Sequence, residues 1–235
     1  GAFDGDELVG FVFGYLGRTK EGGYKLCSHM MGVAPGYQSA GVGYRLKLAQ
    51  RAYALEQGHD LVTWTYDPLQ SRNAYLNIHK LGGICRTYAP DYYGPLSDGL
   101  NAGLPTDRFK VEWWIASAAV QRRLAGTAEE RQDSGSLGDA EQVNRIVRTE
   151  AGILAPGKLV LDCQGGVLRV EIPADYGAVK AADPGLALDW RLAMRQVFRT
   201  YFGLGYAVVD FESHRLDGER RSTYVLRRVV PRSSA

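Results

Sequence analysis

Apolar residues in the first third of the chain fall in short, dense runs separated by glycine-rich polar breaks. Residues 8–16 (LVGFVFGYL) and 24–33 each read as a strand, with a polar loop at 18–23 between them. Gly1-Ala2-Phe3 reads as the tail of an earlier strand, and Asp4-Gly5-Asp6 as the tight turn after it. Together these predict an antiparallel meander. The pattern then changes period. Leu46, Leu48, Ala49, Ala52, Tyr53 and Leu55 repeat at helical spacing, predicting a helix over 43–57 that Gly58 stops. A β-branched and aromatic run at 60–66 (DLVTWTY) predicts a buried strand, which Asp67-Pro68 breaks. A second helix is predicted over 71–81, closed by Gly82-Gly83. A strand at 84–93 interrupted by Ala89-Pro90, a long loop at 94–107 and a strand at 109–115 complete this half.

Beyond it, residues 116–131 are helical in composition and 132–139 (QDSGSLGD) form the best linker candidate. Strands are predicted at 158–162 and 167–172. A helix follows Asp183-Pro184-Gly185 over 186–202, Gly203-Leu204-Gly205 stops it, and strands at 206–211 and 222–226 close the pattern. The helix, glycine stop and strand around Leu81-Gly82-Gly83 echo those around Phe202-Gly203-Leu204-Gly205. Both readings of that echo stand at this level: any helix-to-strand turn, or a degenerate second lobe. The expected organisation is an α/β (α+β) core over 1–116, a helical connector and linker over 117–157, and a C-terminal α/β extension over 158–235. The fold class is a mixed, mostly antiparallel sheet with flanking helices.

The chemistry centres on Val33-Ala34-Pro35-Gly36-Tyr37-Gln38-Ser39-Ala40-Gly41-Val42-Gly43-Tyr44, between the second predicted strand and the first helix. Its glycines let the backbone approach a ligand and adopt angles other residues avoid. The first amides of the helix have no intrahelical partners, and the helix dipole favours negative charge there, so a phosphate or pyrophosphate is the natural occupant.

Composition narrows the setting. The net charge of +2 gives no basic field that would argue for nucleic acid. No apolar run approaches the ~20 residues that span a bilayer, and residues 1–3 do not form a signal peptide. Cys27, Cys85 and Cys163 lack metal-ligand or disulfide-framework spacing, which points to no metal and to thiols in a reducing cytoplasm.

Strand, Q-x-x-G-x-G turn, long helix, buried strand and short helix ending in L-G-G occur here in the order found in the GCN5-related N-acetyltransferase (GNAT) superfamily, which residues 1–116 resemble. Gln38, Gly41 and Gly43 match the family's Q/R-x-x-G-x-G/A signature. The longer string W-T-Y-D-P-L-Q-S-R-N-A-Y-L-N-I-H-K-L-G-G, with I-P-A-D-Y and F-R-T-Y-F-G-L-G-Y-A-V-V-D-F in the second half, is similar to an uncharacterised bacterial branch of predicted acetyltransferases. The resemblance implies that Gln38, Ser39, Ala40, Gly41, Val42, Gly43 and Tyr44 hold the pyrophosphate of acetyl-coenzyme A. It implies that the strand ending Met31-Gly32-Val33 splays from the 60–66 strand to admit the pantetheine arm. Ser71 and Asn73, at the start of the next helix, are the remaining cofactor contacts it suggests. The acceptor would be a small-molecule or peptide amine, with no nucleic acid and no membrane involved, and a homodimer stays open.

The departures bear on catalysis. At the position of the family's frequent tyrosine stands Ile78, and Asn73 is two places from the usual asparagine. The chain lacks the family's first strand and the two helices that wall the acceptor side. Either the sequence starts late or the C-terminal half replaces them. Tyr75 is a substitute acid, and Asp67 a candidate base or acceptor contact; packing and helix capping are the competing roles. His29 reads as packed or at the surface and His79 as exposed. Asp107, Arg108 and Glu112 serve either the acceptor side or loop anchoring and ion pairing. Arg191, Arg195 and Arg199 read as a solvated helix stripe, against contact with an acidic ligand. The alternative to an N-acetyltransferase is a catalytically degenerate module that binds acyl-CoA or serves as an interaction surface. Some other nucleotide site is the weaker third, since no Walker lysine or ribose-binding acid is in place.

Overall fold

The glycine turns and alternating strands assemble a single mixed sheet across both halves of the chain. The computed structural model describes residues 1–94, 104–126, 140–216 and 218–229. The predicted linker at 132–139 and most of the 94–107 loop lie outside the described residues. The first half comprises β1 (Ala2–Asp4), β2 (Glu7–Arg18), β3 (Tyr24–Val33), α1 (Val42–Glu56), β4 (Leu61–Tyr66), a helix beginning at α2 (Ser71–Ala74), β5 (Ile84–Ala89), β6 (Arg108–Trp114) and α3 (Ala118–Ala125). The second comprises β7 (Glu141–Gln142), β8 (Asn144–Arg148), β9 (Leu154–Leu159), β10 (Val167–Ile172), α4 (Tyr176–Ala182), α5 (Pro184–Gly203), β11 (Tyr206–Leu216) and β12 (Glu219–Arg228). Ten strands form one sheet in the order β1-β2-β3-β4-β6-β5-β11-β12-β10-β7, and β8 pairs with β9 separately. The stretch expected as a helical connector thus contributes strands: β7 joins the large sheet and β8–β9 forms a hairpin. The strand predicted at 158–162 is earlier, at Leu154–Leu159, and helix α4, capped by Asp175, was not anticipated.

One face of the sheet carries the described helices. Phe109, Val111 and Trp113 alternate along β6 and are all fully buried. Trp113 donates its indole N–H to the Leu81 carbonyl at the end of the α2 helix, while Phe109 packs edge-on to Phe198 of α5. Trp64 lies against Trp113 and beneath Lys47 of α1. The core over β5, β6, β11 and β12 is aromatic: Tyr88, Phe109, Phe198, Phe211 and Tyr224 form a continuous set of ring contacts. The opposite face shows Phe11, Phe13 and Tyr15 on β2 and, across the second half, the ion pairs Arg169–Glu212 and Arg221–Glu171.

The two echoed segments meet in space. Gly82 (φ 73°) and Gly205 (φ 83°) each turn a helix into a strand, and those strands, β5 and β11, are antiparallel neighbours with a single registered pair, Cys85 and Val208. Gly83 has a different reason to be glycine: a Cβ there would stand 2.7 Å from Val111 and 2.8 Å from the Asn77 carbonyl.

Candidate active site

β3 and β4 run parallel, yet only two residue pairs are in register, Leu26 with Val62 and Cys27 with Thr63. β3 continues for six residues past that point and β4 for three, so the strands part. A bulge accompanies the parting: Phe13 faces Met30 while Gly14 faces Ser28, which leaves His29 as the extra residue on β3. An extra residue of this kind bends its strand and strengthens the local twist. His29 turns to the exposed face and packs against Phe13 and Tyr15.

The anion cradle lies where β3 ends. A single helical turn at Pro35–Tyr37 leads into Ser39 and Gly41, both with positive φ (68° and 79°). The first intrahelical bond of α1 is from the Arg45 N–H to the Gly41 carbonyl, so the amides of Val42, Gly43 and Tyr44 precede the ladder. A Cβ on Gly41 would meet nothing within 4 Å, so the turn opens onto free space. Gln38 folds back to the Val33 carbonyl at 3.3 Å and thereby braces the turn. Arg72 of α2 donates to the Ser39 hydroxyl, which brings a guanidinium to the cradle's edge. Nothing in the sequence pattern singled out Arg72. Met31 lies on the cradle side, with its methyl 3.5 Å from the Cβ position of Gly43, and Gly32 faces Phe11 instead.

Lys47 fills the floor of the parting. Its ammonium donates to Ser28 on β3 at 2.8 Å and to Gln50 at 3.1 Å, and stands 3.7 Å from the ring centroid of Trp64 on β4. Burial pushes the amine down to about 7.

The second helix departs from expectation. After Ser71–Ala74 it widens into a π turn over Tyr75–Lys80, where the Leu81 N–H reaches the Leu76 carbonyl five residues back. Ile78 is fully buried in the core. Tyr75 stacks on His79 with ring centroids 4.8 Å apart, and its hydroxyl has no hydrogen-bond partner among the described residues. His79 is buried rather than exposed: its Nδ1 is 3.3 Å from Asp210, whose carboxylate also takes both amino groups of Arg123. The helix wheel placed His79 outward because the β11 segment bearing Asp210 was not part of that local picture. Ser71 is likewise buried, with its hydroxyl 2.8 Å from that of Ser222, so it does not face the cradle. Asn73 is exposed and lines a cavity at the end of β4.

Asp67 is held in an ion pair with Arg191. Its carboxylate accepts the Leu69 amide and two bonds from Arg191, at 2.6 and 2.7 Å. Both of its oxygens are thus taken by one guanidinium. Arg191 and Arg195 are therefore not a solvated stripe: they tie α5 to the first half of the chain, while Arg199 is exposed. Asp107 anchors the loop before β6, accepting from the Tyr88 hydroxyl, the Asp91 amide and Arg195. Burial pushes its carboxyl up, but Arg195, Tyr88 and the Asp91 amide outweigh that and leave it below its ordinary value. The resulting stability is present above pH about 4 and lost as the pH falls through the lowered value. Asp107→Asn is expected to melt earlier than wild type at pH 7, with the gap narrowing as the pH falls below about 4; a constant gap across a melting series would refute this. Glu112 bonds Trp114 and lies 4.0 Å from Arg86. Among the described residues no group of three or more His, Cys, Asp or Glu could hold a metal ion, and no helix is long and apolar enough to cross a membrane.

A mixed sheet parted between two parallel strands, with an amide-lined turn at the head of the parting, defines the class of fold. Among solved structures the chain is similar to the NatC complex bound to Gag peptide and CoA (17% identity, TM-score 0.37, covering 44% of this chain and 59% of that one). It is similar also to Chaetomium thermophilum Naa20 in complex with a bisubstrate analogue (18% identity, TM-score 0.37, 44% and 58%) and to nourseothricin acetyltransferase (17%, TM-score 0.25, 41% and 61%). The matched part thus spans about three fifths of each of those chains. No family model and no curated protein sequence matches the chain.

Proposed function

We propose that the protein is an acyl-CoA-dependent acyltransferase, transferring acetyl to an amine by direct attack. The observation that carries this reading is the two-pair β3–β4 ladder that stops below an open, amide-lined turn. The residues fit an acyl-CoA: amides at Val42–Tyr44 suit a pyrophosphate, Arg72 adds positive charge beside them, and the parted strands leave β3 backbone for a thin amide-bearing arm. Bound there, acyl-CoA would supply a thioester as the acyl donor. The chain's own part is to fix the donor, to offer β3 backbone N–H groups where oxyanion charge develops, and to give a proton to the departing thiolate. Tyr75 is the residue for the last step, and the proton that the amine loses as the C–N bond forms and the C–S bond breaks restores its hydroxyl. Its hydroxyl is uncommitted, and Lys80 lies between its ring and that of Tyr44 in the first turn of α1, at 5.7 and 5.6 Å. A thiol with an ordinary pKa of about 8.5 also leaves tolerably without help. Asp67 acts on this reading as a positioning residue, through Arg191.

Calorimetry with coenzyme A, and thiol release from acetyl-CoA with a panel of amines, test the proposal. Gly41→Trp, which fills the cradle, and Ala40→Glu, which adds a repelling charge, are each expected to weaken coenzyme A binding by about tenfold or more while the melting point shows the fold retained. Absence of wild-type binding at millimolar ligand would sink the reading. Binding without thiol release for any amine would favour the degenerate acyl-CoA-binding module.

A further inference from the structure

A cavity of about 390 Å³ opens at the end of β4, within the range of small-molecule sites. Thr65 and Tyr66, the last residues of β4, line it together with Asn73 of α2, Arg108 at the start of β6, Lys180 of α4 and Arg191 of α5. Its lining carries three cations against one acid, Asp67. Asp67 and Arg191 neutralise each other, which leaves the charge of Arg108. Arg108 has no ion-pair partner among the described residues, and its guanidinium is steadied 5.1 Å from the Tyr93 ring. Arg191 is 3% exposed, and its Nε is a buried donor without an acceptor. A buried unsatisfied donor costs free energy that an incoming acceptor would recover.

We propose that this cavity binds the acceptor, and that the acceptor is a small primary amine carrying a carboxylate or phosphate group. The anionic group would rest against Arg108. The far end of the ligand is then directed toward Thr65 and Tyr66. These residues end one arm of the β3–β4 parting, which is where the acyltransferase reading, on which the role as acceptor rests, puts the donor. The Asn73 and Gln70 amides, also in the lining, suit an ammonium or amine better than an apolar tail.

Binding is measured first, by calorimetry on the whole protein without acetyl-CoA. The probes are β-alanine and phosphoethanolamine against propylamine and ethanolamine. The two probes that carry an anionic group are expected to bind more tightly than the two that lack one, and the tighter of the two identifies the anion. Arg108→Gln is expected to weaken the anion-bearing probes about ten- to a hundredfold and not to weaken propylamine or ethanolamine. Equal binding of both classes, or equal weakening of both by Arg108→Gln, overturns the proposal. Because acetyl-CoA is absent, anionic probes that bind without supporting thiol release leave the site standing and count against the enzyme reading alone.

Discussion

Asp67→Ala is expected to destabilise the fold by about 3–5 kcal/mol, the cost of leaving one half of a buried ion pair. Asp67 follows β4, and Arg191 lies 124 residues later on α5, so the bidentate bond between them joins the two halves of the chain. Burial works against the Arg191 charge, and the hydrogen bond and charge of Asp67 more than compensate, raising its pKa above the ordinary value. Without Asp67 the guanidinium is buried without its carboxylate partner, and Nε already lacks an acceptor. Adding Arg191→Met to Asp67→Ala replaces the stranded charge by an apolar side chain of similar reach, and should recover most of the loss. Urea unfolding of the two variants reads both effects. A loss below about 1 kcal/mol for the single variant would class the pair with exposed ion pairs. A variant of full stability that had lost thiol release would return Asp67 to the role of base.

A second large effect is expected at Lys47, in the pH dependence of stability. The unfolded lysine keeps its proton to pH about 10.4, whereas the folded amine, pushed down by burial, gives it up near 7. Between those values the unfolded chain binds more protons, so the wild type should gain stability as pH rises, by up to about 1.4 kcal/mol per pH unit. Lys47→Met keeps the side chain's length and removes the titration. It should be more stable than wild type at pH 7, with the difference shrinking toward pH 9.5. The face of Trp64, 3.7 Å away, favours the charged amine. If the wild-type melting point stayed flat relative to Lys47→Met, the ring would have won over burial.

The N-terminal half was legible because its signals are local. The Asp-Gly turn, the apolar runs of β2 and β3, the glycine at the head of α1 and the Gly82 stop each act within a few residues, and each fell within a residue or two of its place, although β2, which reads as buried, is exposed along one face. The parting of β3 and β4 was expected from the Gln38–Gly43 signature and is visible in the register. What escaped depended on partners far along the chain. Arg191 and Arg195 look like a solvated stripe until Asp67 and Asp107 are brought to them. His79 looks exposed until Asp210 and Arg123 cover it. Ser71 turned inward because Ser222 waits there. The cavity at the end of β4 draws on both halves, so no window of sequence contains it. Asp67 was singled out for chemistry because it follows a strand, and the same position suits a capping carboxylate that grips a distant arginine.

The π turn at Tyr75–Lys80 has a consequence for counting along the helix. An α-helix advances about 100° per residue, and the widened turn absorbs one residue more than that rhythm allows. Positions numbered from Ser71 and positions numbered back from Gly82 therefore refer to two frames that disagree by one step. An alignment anchored at the glycine stop assigns Ile78 a role on the wrong side of the helix, while Tyr75 and His79, four apart, stack face to face. At the level of the gene, a single codon separates the two frames. Losing it would leave a regular helix of ordinary composition and carry Arg72 and Asn73 about a quarter-turn away from the cradle and the cavity they now border.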